Sequence, residues 1–156
     1  MPIWLVRHGE TALNAARILQ PANTPLSARG LAQARALADR LLNEPIAGIL
    51  SSDLPRAEQT AQAIADRTGH LVQTTPLLHE RCFGDWRGQP YDSLPTNPLA
   101  MEAAPPGGES AAQFAERCRK ALDYALQLQS QLAGPLVVVT HGGVIRQILT
   151  VLPPTA

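Results

Sequence analysis

Four short runs at residues 3–6, 46–50, 71–75 and 136–139 read as strands, and the segments between them repeat their apolar residues at helical spacing. This alternation is the tightest constraint on what the chain can become. Strands separated by helices pair most readily in parallel, because a helical crossover returns the chain to the same edge of the sheet. Three of the four runs are almost wholly apolar, as expected of strands covered on both faces.

In the first crossover, Leu31, Ala34, Ala38, Leu41 and Leu42 mark a helix over 27–44, with Ser27 placed to cap it. Ala57, Ala61, Ile64 and Ala65 mark a second helix, closing at Gly69. Phe114, Cys118, Ala121, Ala125, Leu128 and Leu132 mark a long third helix that ends before Gly134-Pro135. A last helix is expected over 143–152, stopped by Pro153-Pro154. The expected fold class is therefore α/β: three layers, with a largely parallel open sheet and helices on both faces. Residues 82–106 break the pattern. They are rich in Pro, Gly and Asp, lack periodicity, and are too long for an idle connection, so we read them as a binding loop.

With 156 residues, 45% of them hydrophobic, the chain can bury one sizeable core, and a single domain over 1–156 is expected. Thirteen basic side chains balance thirteen acidic ones, which leaves no global field to attract nucleic acid or an anionic membrane surface. No apolar run is long enough for a signal peptide or a membrane span, so a cytoplasmic protein is expected. Cys82 and Cys118 fit reduced thiols in that compartment. A neutral chain that handles anions must gather its positive charge locally.

Ligands of open α/β sheets bind beyond the carboxyl ends of the strands, and three of the four strands deliver reactive side chains there. The first delivers Arg7 and His8, the second leads to Arg56 in the first turn of a helix, and the fourth delivers His141, followed by Gly142-Gly143. Two arginines and two histidines suit phosphoryl transfer. Guanidinium forks match phosphoryl oxygens, a neutral imidazole can attack phosphorus, and a second imidazole can donate to the oxygens as charge spreads over them. We assign His8 as nucleophile and His141 as donor, with the arginines disfavouring the His8 cation. The departing alkoxide needs a proton, which calls for a carboxyl at the pocket mouth. Glu80, just after the third strand, is the leading candidate, and Glu10 and Asp53 compete by position.

These segments resemble the histidine phosphatase superfamily, which contains the cofactor-dependent phosphoglycerate mutases, over residues 3 to about 149. Arg7-His-Gly-Glu-Thr11 with Asn14 is similar to the nucleophile motif, Ser51-Ser-Asp-Leu-Pro-Arg56 to the second-arginine motif, and Thr140-His-Gly-Gly-Val-Ile-Arg146 to the second-histidine motif. Glu80 with Gly84, Trp86 and Gly88 resembles the proton-donor segment, and Pro106-Gly-Gly-Glu-Ser110 the loop before the long helix. The resemblance implies a phosphoglycerate mutase-like fold and the roles assigned above. It also implies that Asn14 and the Thr11 hydroxyl line the phosphate pocket.

Three positions depart from the family pattern. Pro21 replaces a frequent glycine, Arg87 stands where an acid is common and adds a cation near the entrance, and the sequence stops before the further strand that relatives commonly add. Substrate binding is accordingly assigned to Asn14, Thr11, Gly142 and Arg87, with no cofactor and no metal.

Hydrolysis is preferred to mutase chemistry because the family's mutases carry a long enclosing insertion between the proton donor and the Pro-Gly-Gly segment, whereas Glu80 and Gly107 here are joined by a short loop. A cysteine phosphatase is excluded by spacing, since only four residues separate Cys82 from Arg87. Zinc hydrolysis is disfavoured, because His8, His70, His79 and His141 lack paired ligand spacing; His70 and His79 are expected to face solvent. The rival from another class is a silent phosphate-binding module. The expected partner is a small phosphorylated substrate; Phe83-Gly-Asp-Trp86 together with the short length resembles the α-ribazole phosphatases and suggests α-ribazole 5'-phosphate, with sugar phosphates, nucleotides and a phosphohistidine protein as alternatives, since residues 82–106 carry no legible specificity code.

Overall fold

The computed structural model describes residues 2–151. Strands β1 (Ile3–Arg7), β2 (Gly48–Ser52), β3 (Val72–Thr75) and β4 (Leu136–Thr140) form one sheet in the order β1-β4-β2-β3. Every pairing is parallel. The helices are α1 (Ala12–Ala15), α2 (Ala28–Leu41), α3 (Pro55–Thr68), α4 (Ala111–Ser130) and α5 (Gly142–Val151).

The strand alternation sorts side chains between two cores. Val137 and Val139 of β4 join Ile49 of β2 and the apolar faces of α2 and α3. Leu136 and Val138 of the same strand point the other way, with Leu50, Phe114, Cys118 and Ala121, and with Val144 and Ile148 of α5. The central strand β4 is buried along its whole length. This is the expected three-layer α/β arrangement, and its all-apolar centre is what a sheet covered on both faces requires.

Local signals act where the sequence places them. Ser27 accepts the Gly30 amide at 3.1 Å and starts α2, and Gly69, with φ of 79°, ends α3 in the left-handed region. Ser110 and Gln113 form a reciprocal capping box at the start of α4. β2 lies two residues later than expected. The ladder begins at Gly48 and carries Ser51 and Ser52 inside the sheet. The expected stop at Pro153-Pro154 falls outside the described residues. Among the described residues β1 and β3 are the sheet edges.

Residues 82–106 contain no strand and no α-helix, only single 3₁₀ turns at Gly84–Trp86, Tyr91–Ser93 and Pro98–Ala100. They lean on the segment after α1: Leu19 and Gly88 and Gln89 exchange backbone hydrogen bonds, and the Tyr91 amide donates to the Arg17 carbonyl.

Candidate active site

Strand register sets the centre of the site. Arg7 pairs with Thr140, and the His8 amide donates to the Thr140 carbonyl, so the residues that follow the two strands emerge side by side. The His8 and His141 rings meet edge to face with centroids 5.0 Å apart. Both are buried. Arg56, in the first turn of α3, is buried beside them, while Arg7 is exposed and lies against Gly142, where an added Cβ would sit 3.3 Å from the guanidinium carbon. These four side chains line a cavity of about 380 Å³.

Each ring has one committed nitrogen. His8 Nδ1 lies 2.7 Å from the Gly9 carbonyl and must carry the hydrogen to bond it, which leaves Nε2 with a free lone pair. On His141, Nε2 lies 2.9 Å from Ser52 Oγ, which accepts the Leu54 amide and has its own proton to donate to the ring. In that arrangement His141 carries its hydrogen on Nδ1. The site thus offers one imidazole as a nucleophile and the other as a donor.

Burial holds the His8 pKa down to about 4, against an opposing hydrogen bond to Gly9, and Arg56 and Arg7 lower it further. The arginines therefore act as expected, but desolvation is the larger cause. His141 is pushed down to about 2, again mainly by burial and then by the neighbouring His8 and Arg56 charges. Burial also lowers Arg56, opposed by the Glu80 charge.

Two buried side-chain polar atoms among the described residues have no hydrogen-bond partner, Arg56 Nε and His141 Nδ1. Both belong to this pocket. Buried donors are rarely left unpaired, because each costs about 1–3 kcal/mol, so two in one cavity mark a place for an acceptor-rich ligand.

Of the three candidate carboxylates, Glu80 alone lines the cavity among the described residues. Its two oxygens accept the Arg81 and Gly143 amides, each at 3.0 Å, the second at the start of α5. Gly143 permits this approach, since a Cβ there would come within 2.4 Å of Glu80 Oε1. Glu10 is turned to the Ser27 hydroxyl and toward Arg29. Asp53 is bound to His79. His79, expected to face solvent, has its side chain 36% exposed and also lines the cavity, where it is tied to Asp53 of the β2–α3 turn.

Asn14, Gly142 and Arg87 also line the cavity, with Arg87 exposed at its rim and anchored through Nε to the Gly84 carbonyl at 3.0 Å. Thr11 is a correction. Its hydroxyl is fully buried behind the wall, accepting the Asn14 backbone amide and donating to the Gln20 side-chain Oε1, and Gln20 takes the place on the wall that the resemblance gave to Thr11. Pro21 departs from the family pattern yet serves the site, because its carbonyl and that of Ala22 both accept Arg56 Nη1 at 3.3 Å. Ser52 and Arg146 lie inside the family-like motifs without an assigned role, and the sequence does not single out Gln20. Gln20 and Ser52 carry no chemistry of their own that flags them; their signal is adjacency to the loop and strand end that build the pocket.

Two imidazoles, two guanidiniums and one carboxyl converge on a single cavity, a donor-rich set of the kind that suits a phosphoryl group. The chain belongs to the histidine phosphatase superfamily (branch 1), whose family model matches residues 3–154. It is 38% identical over 162 residues to a probable phosphoglycerate mutase GpmB of Yersinia pestis (strain Pestoides F), an alignment covering 97% of this chain and 74% of the relative. Among solved structures, a putative alpha-ribazole-5'-P phosphatase from Escherichia coli K-12 superposes with a TM-score of 0.85 at 30% identity, covering 98% of this chain and 81% of that one. A mycobacterial glucosyl-3-phosphoglycerate phosphatase solved with VO3 gives 0.84 at 33% identity, covering 97% and 81%.

Proposed function

We propose that the chain is a phosphomonoesterase that hydrolyses a small phosphorylated metabolite through a phosphohistidine at His8. The observation that carries this reading is the pair of unpartnered buried nitrogens, Arg56 Nε and His141 Nδ1, on side chains that line the same cavity as His8 with its free Nε2. A phosphoryl group there would give both donors an acceptor and put phosphorus in front of the attacking nitrogen.

In the first half-reaction the His8 Nε2 lone pair forms the N–P bond, and the ester P–O bond breaks. The departing oxygen takes a proton from Glu80, and the alcohol leaves. In the second, water attacks phosphorus, gives its proton to Glu80, and the N–P bond breaks to release phosphate and regenerate neutral His8. Arg7 and Arg56 hold the equatorial oxygens throughout, and His141 donates from Nδ1. Asn14 and the Gly142 end of α5, where the helix dipole is positive, complete the cradle.

Hydrolysis is favoured over mutase transfer because the segment from Glu80 to Gly107 holds only single 3₁₀ turns and lacks the long enclosing insertion that the family's mutases carry there. The mutase reading draws on the name of the Yersinia relative. For the substrate we propose α-ribazole 5'-phosphate. Its support is the Phe83-Gly-Asp-Trp86 stretch, the α-ribazole phosphatase among the similar structures, and the apolar and aromatic outer wall of Phe83, Tyr91, Leu99 and Phe114.

The test is incubation with p-nitrophenyl phosphate, an alkaline quench, and mass spectrometry for phosphate on His8. Turnover with an adduct supports the reading. Absence of both points to a silent phosphate-binding module. A panel of phosphorylated metabolites, with phosphoglycerate isomerisation followed alongside phosphate release, separates phosphatase from mutase and ranks substrates.

A further inference from the structure

Glu80 sits on a loop with no regular structure of its own, yet its carboxyl lies so close against Gly143 that a Cβ there would come within 2.4 Å of Oε1. Something must fix that loop. The side facing away from the cavity carries the answer. Arg117, on α4, donates from Nη1 to the carbonyls of Leu77 at 2.9 Å and His79 at 2.7 Å, and from Nη2 to the carbonyl of Glu80 itself at 3.2 Å. The same guanidinium grips Glu109 in a two-pronged ion pair, both contacts 2.8 Å. Glu109 Oε1 accepts the Cys82 amide at 2.9 Å.

The pair therefore satisfies backbone groups on both sides of Glu80, from residue 77 to residue 82. Arg117 does not line the cavity; it borders a separate shallow depression with Leu77 and Glu116. Its plane lies over the Phe114 ring at 5.3 Å, which limits its rotation. Both members are sheltered, with side chains about one-fifth exposed at 19% and 21%. Burial works against the Glu109 charge, but hydrogen bonds from Arg117 and the Cys82 amide, with the charges of Arg117 and Arg81, hold its carboxyl below the usual range. The clamp stays ionised while the enzyme works.

We propose that Arg117, paired with Glu109, is a positioning residue that holds the Glu80 carboxyl at proton-transfer distance from the leaving oxygen; this rests on Glu80 being the proton donor. The guanidinium touches neither substrate nor reacting atoms. Its loss lets the 77–82 loop relax, and a displacement of about 1 Å at a catalytic group is enough to cost on the order of 10²-fold in rate.

The experiment compares phenyl phosphate, a poor leaving group, with p-nitrophenyl phosphate, a good one, in Arg117→Met, Glu109→Gln, Glu80→Gln and the Arg117→Met/Glu80→Gln double variant. Arg117→Met is expected to lower kcat for phenyl phosphate about tenfold more than for p-nitrophenyl phosphate, with KM for both nearly unchanged. The double variant should fall less than about threefold below Glu80→Gln alone, because the two act through one carboxyl. Glu109→Gln, which keeps the side-chain size, should show the same selectivity in weaker form and carries the test if Arg117→Met does not fold.

Equal losses on both esters in Arg117→Met and Glu109→Gln, with a selective loss in Glu80→Gln, overturn the positioning role and leave the proton donor standing. Equal losses in Glu80→Gln overturn both.

Discussion

The floor of the cavity and its outer wall are built on different principles. The floor is set by parallel register: Arg7 against Thr140 and Ser51 against Val139 bring Arg7, His8, Ser52, Arg56 and His141 to one sheet edge, all but Arg7 buried. The wall, residues 82–106, is a run of short turns held mainly by backbone hydrogen bonds to residues 17–19 and to the loop at 106–109. Leu99, at 54%, is among its exposed apolar groups. A floor locked by the core can hold unpaired donors and neutral histidines at a cost in stability. A wall with little core behind it can vary what it admits without disturbing the floor.

Substitution on the floor tests this division most severely. His8→Ala should reduce turnover by about 10⁴-fold or more and abolish the phosphate adduct, measured by phosphate release and intact mass. Retained activity would place the nucleophile elsewhere. Arg56→Ala should lower kcat/KM by about 10²–10³-fold, with most of the loss in kcat, since the guanidinium is aimed at charge that develops in the transition state. A loss confined to KM would reduce Arg56 to a ground-state anchor.

The floor should also betray itself in stability against pH. His8 and His141 have folded pKa values of about 4 and about 2, below the unfolded value of 6.5. As pH falls below 6.5 the unfolded chain takes up protons that the folded chain refuses, so stability drops through that window, and for His8 the loss levels off near pH 4. By pH 5 the deficit should reach about 2 kcal/mol for each histidine. Urea unfolding at pH 7 and pH 5 measures it, and His8→Asn should remove about half. A flat profile would mean that the rings are open to solvent.

On the wall the effects should be smallest. Arg87→Ala should change kcat for p-nitrophenyl phosphate by less than about threefold, while raising KM several-fold for a substrate with a second anionic group, through loss of an exposed charge interaction. A large fall in kcat would show that wall and floor are coupled.

Much of the floor was legible beforehand, because strand ends are marked by apolar runs and the reactive residues follow them directly. Arg7, His8, Arg56 and His141 could be placed at one edge from periodicity and the rule for open α/β sheets, and the motifs around them carried the family. The wall was legible only as a loop. Its turns are closed by hydrogen bonds between residues three apart, which leave no hydrophobic period to read. Thr11 was misplaced for a related reason: a hydroxyl that can face a ligand can equally cap a helix, and here it caps α1.

By itself the sequence determined the order of strands and helices along the chain, the covering of the sheet on both faces, and the residue types delivered beyond the strand ends, because each follows from local spacing and apolar pattern. Only the tertiary structure decided which carboxyl enters the site, which nitrogen of each histidine is free, and what braces Glu80 from behind. Those choices rest on contacts such as Glu80 with Gly143 and Ser52 with His141, which lie 63 and 89 residues apart. Side-chain partners at such separations are fixed by how the layers pack, and no local pattern encodes them.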